Sequence, residues 1–497
     1  MATFERGGNA VDAAIAANAA IAVTAPHLCG MGGDLYALVR TPTGETVGLN
    51  ATGRSGAGAD PDALRAERHA SMPLRHDPRT ITVPGCVDGW IALHERFGTL
   101  DLQTVLAPAI TLAADGFPAS PLLVGSLGLL DEEARPAFAD LIEQASTAGA
   151  RVRRPGVALA LHGIVAGGRG AFYGGAFGEG LLALGDGVFT EADLARNQAD
   201  WVEPVRATAF GVDLVTIGPN SQGYLALGSA RLVDAAGLPA DPDDAAWVHL
   251  LAEAAAAAGH DRPNALHEHA DGPALVAAIA GRGDRLDPDR AQSRTVPTSD
   301  GDTTYLCTAD ESGFAVSLIQ SNASGFGSWL VEPTTGINLH NRGLGFSLEP
   351  GHPAELRPGR RPPHTLCPAM AERDGGLAAV FGSMGGDAQP QILLQLAARL
   401  FGDGASAAEA VGAPRWVWRG PRTGFDTWTA GVPPTLSLEG HAPPAWRTGL
   451  LERGHDVAVA PAFDSGFGHA HVIAVGPTGA FAVAADPRAR VGSAAGR

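Results

Sequence analysis

Apolar positions change their texture along the chain. Behind Gly7-Gly8-Asn9 lies an alanine-rich run that predicts a buried helix, with Asn9 placed to cap it. Pro26 and Gly30-Met31-Gly32-Gly33 end that run and lead into a strand over Leu35–Val39. Those glycines serve a tight turn, close backbone packing or a ligand; the residues alone favour the turn. Trp90, Leu93 and Phe97 fall on one face of a helix over Val87–Phe97, after an irregular stretch from Leu74 to Pro84. Residues 104–190 read as mainly helical. Pro219–Gly223 is a loop feeding a helix with Leu225, Leu227 and Leu232, and Ala245–Gly259 is a further helix.

Residues 282–302 hold few large apolar groups and read as an exposed linker. Beyond it the pattern shortens. Thr303–Ala309 and Phe314–Gln320 flank Asp310-Glu311-Ser312-Gly313 as a hairpin. Strands follow at Ala378–Phe381, Val457–Val459, Val472–Val475 and Phe481–Ala484, with a helix over Pro390–Phe401. Helices first and strands later suggest one layered α+β unit.

Composition narrows the chemistry. The chain has 497 residues, 45% hydrophobic and 18% charged, which suits a compact core. A net charge of −18 argues against nucleic acid as a partner. All 35 basic residues are arginine, so Schiff-base chemistry and a P-loop lysine are excluded. Cys29, Cys86, Cys307 and Cys367 are scattered, giving neither a zinc spacing nor a disulfide framework. The run Asn9–Ala25 is too short to span a bilayer and lacks the basic start of a signal peptide, so a cytoplasmic location without a membrane partner is expected. His455, His469 and His471, or His267 and His269, lack a convincing ligand set, and no metal or other cofactor is expected. There is no G-x-S-x-G elbow, and the Gly30–Gly33 run precedes a strand, where a dinucleotide site needs a helix.

Thr303 carries the sharper expectation. Cutting the Asp302–Thr303 bond would give it a free α-amine beside its own hydroxyl, and such an amine can act as the adjacent base. The exposed linker just before it is what a processing site requires.

Eight motifs stand in order along the chain: Gly7-Gly8-Asn9-Ala10-Val11-Asp12-Ala13-Ala14, Gly30-Met31-Gly32-Gly33-Asp34, Val83-Pro84-Gly85, Ser221-Gln222-Gly223, Asp302-Thr303-Thr304, Pro358-Gly359-Arg360-Arg361-Pro362, Gly382-Ser383-Met384-Gly385-Gly386 and Asp486-Pro487-Arg488. Together they resemble the γ-glutamyltransferase (glutathione hydrolase) family of N-terminal-nucleophile hydrolases. The resemblance implies a four-layer αββα sandwich and self-cleavage into residues 1–302 and 303–497, which stay associated as one folded unit, with a dimer of such pairs as a further expectation. It also implies attack by Thr303 on the amide of a small-molecule, γ-glutamyl-like substrate, with water or an amine resolving the acyl-enzyme. Gly385 and Gly386 match the oxyanion pair, while Ser321 and Thr304 would support the nucleophile.

Departures fall on the pocket for the γ-glutamyl head. Where the family grips an α-amine, this sequence has Gly345, Ala323 and Arg342; His364 and Thr365 stand where two serines hold a carboxylate, and Thr52 replaces an arginine with Arg54 two residues on. A buried unpaired ammonium is costly, so Arg54, Arg342, His364 and Thr365 are expected to suit an anionic or neutral acyl group. Cephalosporin acylases of the same superfamily, which take a glutaryl group, offer one precedent, and a divergent glutathione-hydrolase-like subgroup another. Two alternatives stand beside this reading: an unprocessed, inactive binding or scaffold protein, and glutathione hydrolysis through an altered amine clamp.

Overall fold

A computed structural model describes residues 1–292, 302–420 and 434–496. The chain resolves into two compact units, each built from separated segments. The first comprises Met1–Val39, Leu49–Trp201 and Asp302–Pro362; the second comprises Arg40–Gly48, Val202–Gly301 and Pro363–Arg497. Residues on both sides of the Asp302–Thr303 bond therefore contribute to each unit.

A five-stranded sheet in the order Asp200–Val202, Thr46–Ala51, Asp34–Arg40, Ala315–Ala323, Asp302–Ala309 has most of its residues in the first unit. The helix Ala10–Thr24 packs on its last two strands and is backed by Cys86–Phe97 and Leu102–Asp115. Asn9 caps the helix as its sequence predicts. Its Oδ1 accepts from Val11 N and Asp12 N at 2.9 and 3.0 Å, and Asp12 Oδ2 accepts from Asn9 N at 3.1 Å, a complete capping box.

Asn18 is a wholly buried polar residue in that alanine-rich helix, and its partners explain it. Its Nδ2 donates to Gln320 Oε1 at 3.0 Å, and its Oδ1 accepts from Trp90 Nε1 at 2.7 Å, so one amide ties helix to sheet and helix to helix. Gly32 and Gly33 are needed for close approach. A Cβ at Gly32 would lie 2.2 Å from Asn338 O, and one at Gly33 2.4 Å from Ser321 O.

The second unit holds a six-stranded antiparallel sheet ordered Phe481–Ala485, Ala470–Val475, Gly376–Ser383, Ala369–Arg373, Val212–Thr216, Val205–Ala209. Tyr224–Ala236 and Gln389–Ala397 cover it, and Ala245–Gly259 packs behind them with Trp247 stacked on Trp446 at 6.2 Å. All four late strands anticipated from the sequence are present, each a little longer than its apolar run. The helix expected over Pro390–Phe401 ends at Ala397 and finishes in a π-helical turn, Ala398–Gly402. Each unit thus pairs a sheet with helices. Of the expected linker 282–302, residues 282–292 are mostly exposed, and 293–301 lie outside the described residues.

Candidate active site

Thr303 sits at the head of the strand Asp302–Ala309, antiparallel to Ala315–Ala323 across the short turn read from the sequence. Asp302 faces Ala323, but Thr303 faces Ser321, so the register slips between those two pairs. The extra residue is a bulge, and Ala323 takes a positive φ of 71° there. The irregularity lies on the peptide bond expected to be cut. Thr303 is only 2% exposed, and its Oγ1 donates to Ser321 Oγ at 3.2 Å. Ser321 Oγ also accepts from Ala323 N at 2.8 Å, which aims its lone pairs.

Thr304 points to the opposite face, as strand alternation requires. Its Oγ1 donates to Gln320 O at 3.4 Å, and it bonds the Cys29 thiol, whose pKa burial pushes up to about 12. The structure brings Ser321 to Thr303, whereas Thr304 supports the strand from behind.

Gly385 and Gly386 lie in the second unit, just past the strand Gly376–Ser383 and before the helix Gln389–Ala397. Their φ angles of 144° and 53° are ones that residues with a Cβ rarely adopt, which accounts for both glycines. Neither N–H has an acceptor among the described residues, and Ala388 N donates to Gly385 O at 2.9 Å. Paired N–H groups at a helix start are suited to negative charge.

Of the four residues expected to meet the acyl group, Arg342 is 2% exposed and its Nε donates to Asp34 Oδ2 at 2.8 Å. His340 Nδ1 stands 3.5 Å from the same oxygen. Arg54, 8% exposed, donates to Asp200, which also accepts from Arg361 at 2.6 Å. Burial first, and then the neighbouring Arg361 charge, lower the Arg54 pKa. Burial raises the Asp200 carboxyl, but Arg361 and Arg54 together hold it below its ordinary value. His364 and Thr365 belong to the second unit and are buried; His364 Nδ1 accepts from Leu366 N at 3.2 Å, and Thr365 O accepts from Gln222 Nε2 at 2.8 Å.

The histidine pairs suggested by spacing do not form a ligand cluster among the described residues. His469 Nε2 instead meets Ser465 Oγ at 2.8 Å, and burial lowers its pKa to about 4. His455 joins His249 and Glu253, all three buried, with ligand-type atoms within 4.8 Å of one another. His249 Nδ1 and His455 Nε2 already share a hydrogen bond of 2.7 Å, and His249 Nε2 is held by Asp287 O at 2.7 Å. His249 and Glu253 lie four apart on one helix, a spacing with no meaning until folding delivers His455. The four cysteines are free thiols. No helix among the described residues is long and apolar enough to cross a membrane.

A buried threonine at the head of a strand, bonded to a serine hydroxyl across the sheet of an α+β scaffold, fits the N-terminal-nucleophile hydrolase class. The gamma-glutamyltranspeptidase family model matches residues 1–496, and the chain belongs to that family. It is 35% identical to the oxamate amidohydrolase proenzyme of Klebsiella pneumoniae subsp. pneumoniae, over 100% of this chain and 96% of the relative. It is 32% identical to the glutathione hydrolase-like YwrD proenzyme of Bacillus subtilis, over 98% and 94%. Among solved structures, the cephalosporin acylase from Bacillus halodurans superposes with a TM-score of 0.89 at 31% identity, covering 98% of this chain and 91% of that one. The fold is therefore the N-terminal-nucleophile hydrolase fold of these relatives, and the chain is an enzyme of their amide-cleaving, self-processing class.

Proposed function

We propose that the chain cuts itself between Asp302 and Thr303, and that the freed Thr303 then hydrolyses small amides with an anionic acyl group. The observation carrying this is the buried Thr303 Oγ1–Ser321 Oγ bond of 3.2 Å at the head of the strand. In this reading the α-amine of Thr303 takes the hydroxyl proton as Oγ1 attacks the carbonyl carbon. The resulting oxyanion meets the N–H groups of Gly385 and Gly386, the leaving amine collects the proton, and water resolves the acyl-enzyme. Losing one such oxyanion donor typically costs about 10²–10³ in rate. Residues 1–302 and 303–497 would remain associated after cleavage, and a dimer of such pairs is part of the proposal. A cytoplasmic setting is also proposed, supported by four free cysteines.

The anionic preference rests on charge. Arg342 pairs with Asp34 where both are buried, whereas Arg54 and Arg361 converge on the half-exposed carboxylate of Asp200, so an incoming anion would meet two guanidinium groups there. Arg54, with His364 and Thr365, is proposed to face the acyl group. Oxamate, the monoamide of oxalate, is the smallest amide of this kind and the first substrate to try; glutaryl and γ-glutamyl anilides and glutathione complete the panel.

Intact mass of the purified protein tests processing: two fragments, the smaller starting at Thr303, are expected. Thr303→Ala should leave one chain and lower amide turnover about 10³-fold or more. A Thr303→Ala protein that still cleaves at that bond overturns the assignment.

A further inference from the structure

Ser221-Gln222-Gly223 takes no part in the chemistry above, yet each residue is used. Ser221 Oγ donates to Leu366 O at 2.7 Å and accepts from Gly223 N at 3.1 Å. Gly223 lets Thr216 approach, because a Cβ there would lie 2.3 Å from Thr216 Oγ1. Between them Gln222 is wholly buried. Its backbone N donates to His364 O at 3.0 Å, and its Nε2 donates to Thr365 O at 2.8 Å and Gly386 O at 3.1 Å.

Those two carbonyls settle which end of the amide is which, since an oxygen in place of Nε2 would face two other oxygens. Oε1 then has no partner among the described residues. A methionine of similar size would fill the same space with no unpaired side-chain oxygen, but it would take the Nε2 donor away from Thr365 O and Gly386 O. The polar side chain is kept against a cost that packing alone does not explain.

We propose that Gln222 is the positioning residue of the oxyanion loop. Both loop glycines lack the Cβ that would restrain them, so the direction of their N–H groups has to be imposed from outside. On one side the loop is anchored by the turn from Gly385 O to Ala388 N and by the ion pair of Asp387 with Arg262 at 3.5 Å. Gln222 supplies the opposite anchor: by holding Gly386 O it restrains rotation about Gly386 and keeps both N–H groups aimed alike. The same amide holds Thr365 O, so the loop and the segment bearing His364 and Thr365 move as one piece. This deepens the proposed function and rests on its reading of Gly385 and Gly386 as oxyanion donors.

The test uses the processed full-length protein with Gln222→Met and Gln222→Glu. For oxamate and a glutaryl anilide, kcat should fall about 100-fold with KM within about threefold, because a misaimed oxyanion donor is felt in the transition state and not in substrate binding. A second readout is independent of the natural acyl group: the rate at which phenylmethanesulfonyl fluoride modifies Thr303, followed by intact mass, should fall in parallel. Gln222→Glu should regain part of the loss between pH 8 and pH 5, as its carboxyl gains a proton to donate. It keeps the glutamine shape, so it serves if the Met variant fails to fold. Variant kcat and sulfonylation rates within twofold of the parent, or a loss in KM alone, overturn the proposal. A parent that is sulfonylated at Thr303 but cleaves no amide overturns the substrate reading, and the sulfonylation rates still decide the role of Gln222.

Discussion

Two arginines expected to face the acyl group have opposite electrostatic settings. Arg342 pairs with Asp34, their side chains 2% and 0% exposed, and His340 Nδ1 stands 3.5 Å from the same carboxylate. Arg54 shares Asp200 with Arg361, and that carboxylate is 45% exposed. The first is proposed as a structural pin: its charges meet where water is excluded, so removing either costs the other a close partner. In the second, two guanidinium groups converge on one carboxylate with an edge open to solvent, an arrangement suited to receiving an anion. Residue type is the same at both positions; the burial of the carboxylate each arginine meets sets them apart.

The largest expected effect tests the pin. Arg342→Ala should destabilise the protein by about 3–5 kcal/mol in a denaturant melt, because the buried Asp34 loses its guanidinium partner. Joint replacement of Asp34 by Asn and Arg342 by Met should recover most of that loss. A single Arg342→Ala variant with an unchanged midpoint would erase the contrast between the sites.

Next comes the shared carboxylate. Arg54→Ala should raise KM for an anionic amide about tenfold, equivalent to about 1.4 kcal/mol. Its stability should change by no more than about 1 kcal/mol, because Arg361 still bonds Asp200. A neutral amide should be indifferent to the change, so a loss common to both substrates would make Arg54 structural as well.

The smallest effect is in acid. Asp200 has a folded pKa below its unfolded value, so its contribution to stability is complete above the unfolded pKa of about 3.9 and disappears as pH falls through the folded one. Asp200→Asn should therefore be less stable than the parent at neutral pH, with the two curves converging below about pH 4. The gap should be small and should narrow in salt, since the carboxylate is half exposed.

Much of the local structure was legible beforehand. The cap at Asn9, the helix Ala245–Gly259 and the hairpin around Asp310–Gly313 follow from neighbours a few residues apart, where the sequence itself places the interacting groups. Thr303 and the two glycines could be picked out by ordered motifs, and Ser321 through the family resemblance those motifs carry. Gln222 lay inside one of those motifs, but its role was invisible: its partner Gly386 is 164 residues away. The Gly30–Gly33 run shows the same limit. It read as a turn, and the close passage of Asn338 and Ser321 is what leaves no room for side chains.

The sequence by itself determined the elements, the nucleophile's candidacy and the exclusion of lysine chemistry, because these depend on residue type and short spacing. Only the tertiary structure decided which carboxylate each arginine meets and how deeply that carboxylate is buried. Arg342 and Asp34 are 308 residues apart, and Arg54 and Asp200 are 146 apart. An arginine's capacity to bind an anion depends on the carboxylates within a few ångströms of it and on the water excluded around it. Those are set by segments that folding brings together from distant parts of the chain.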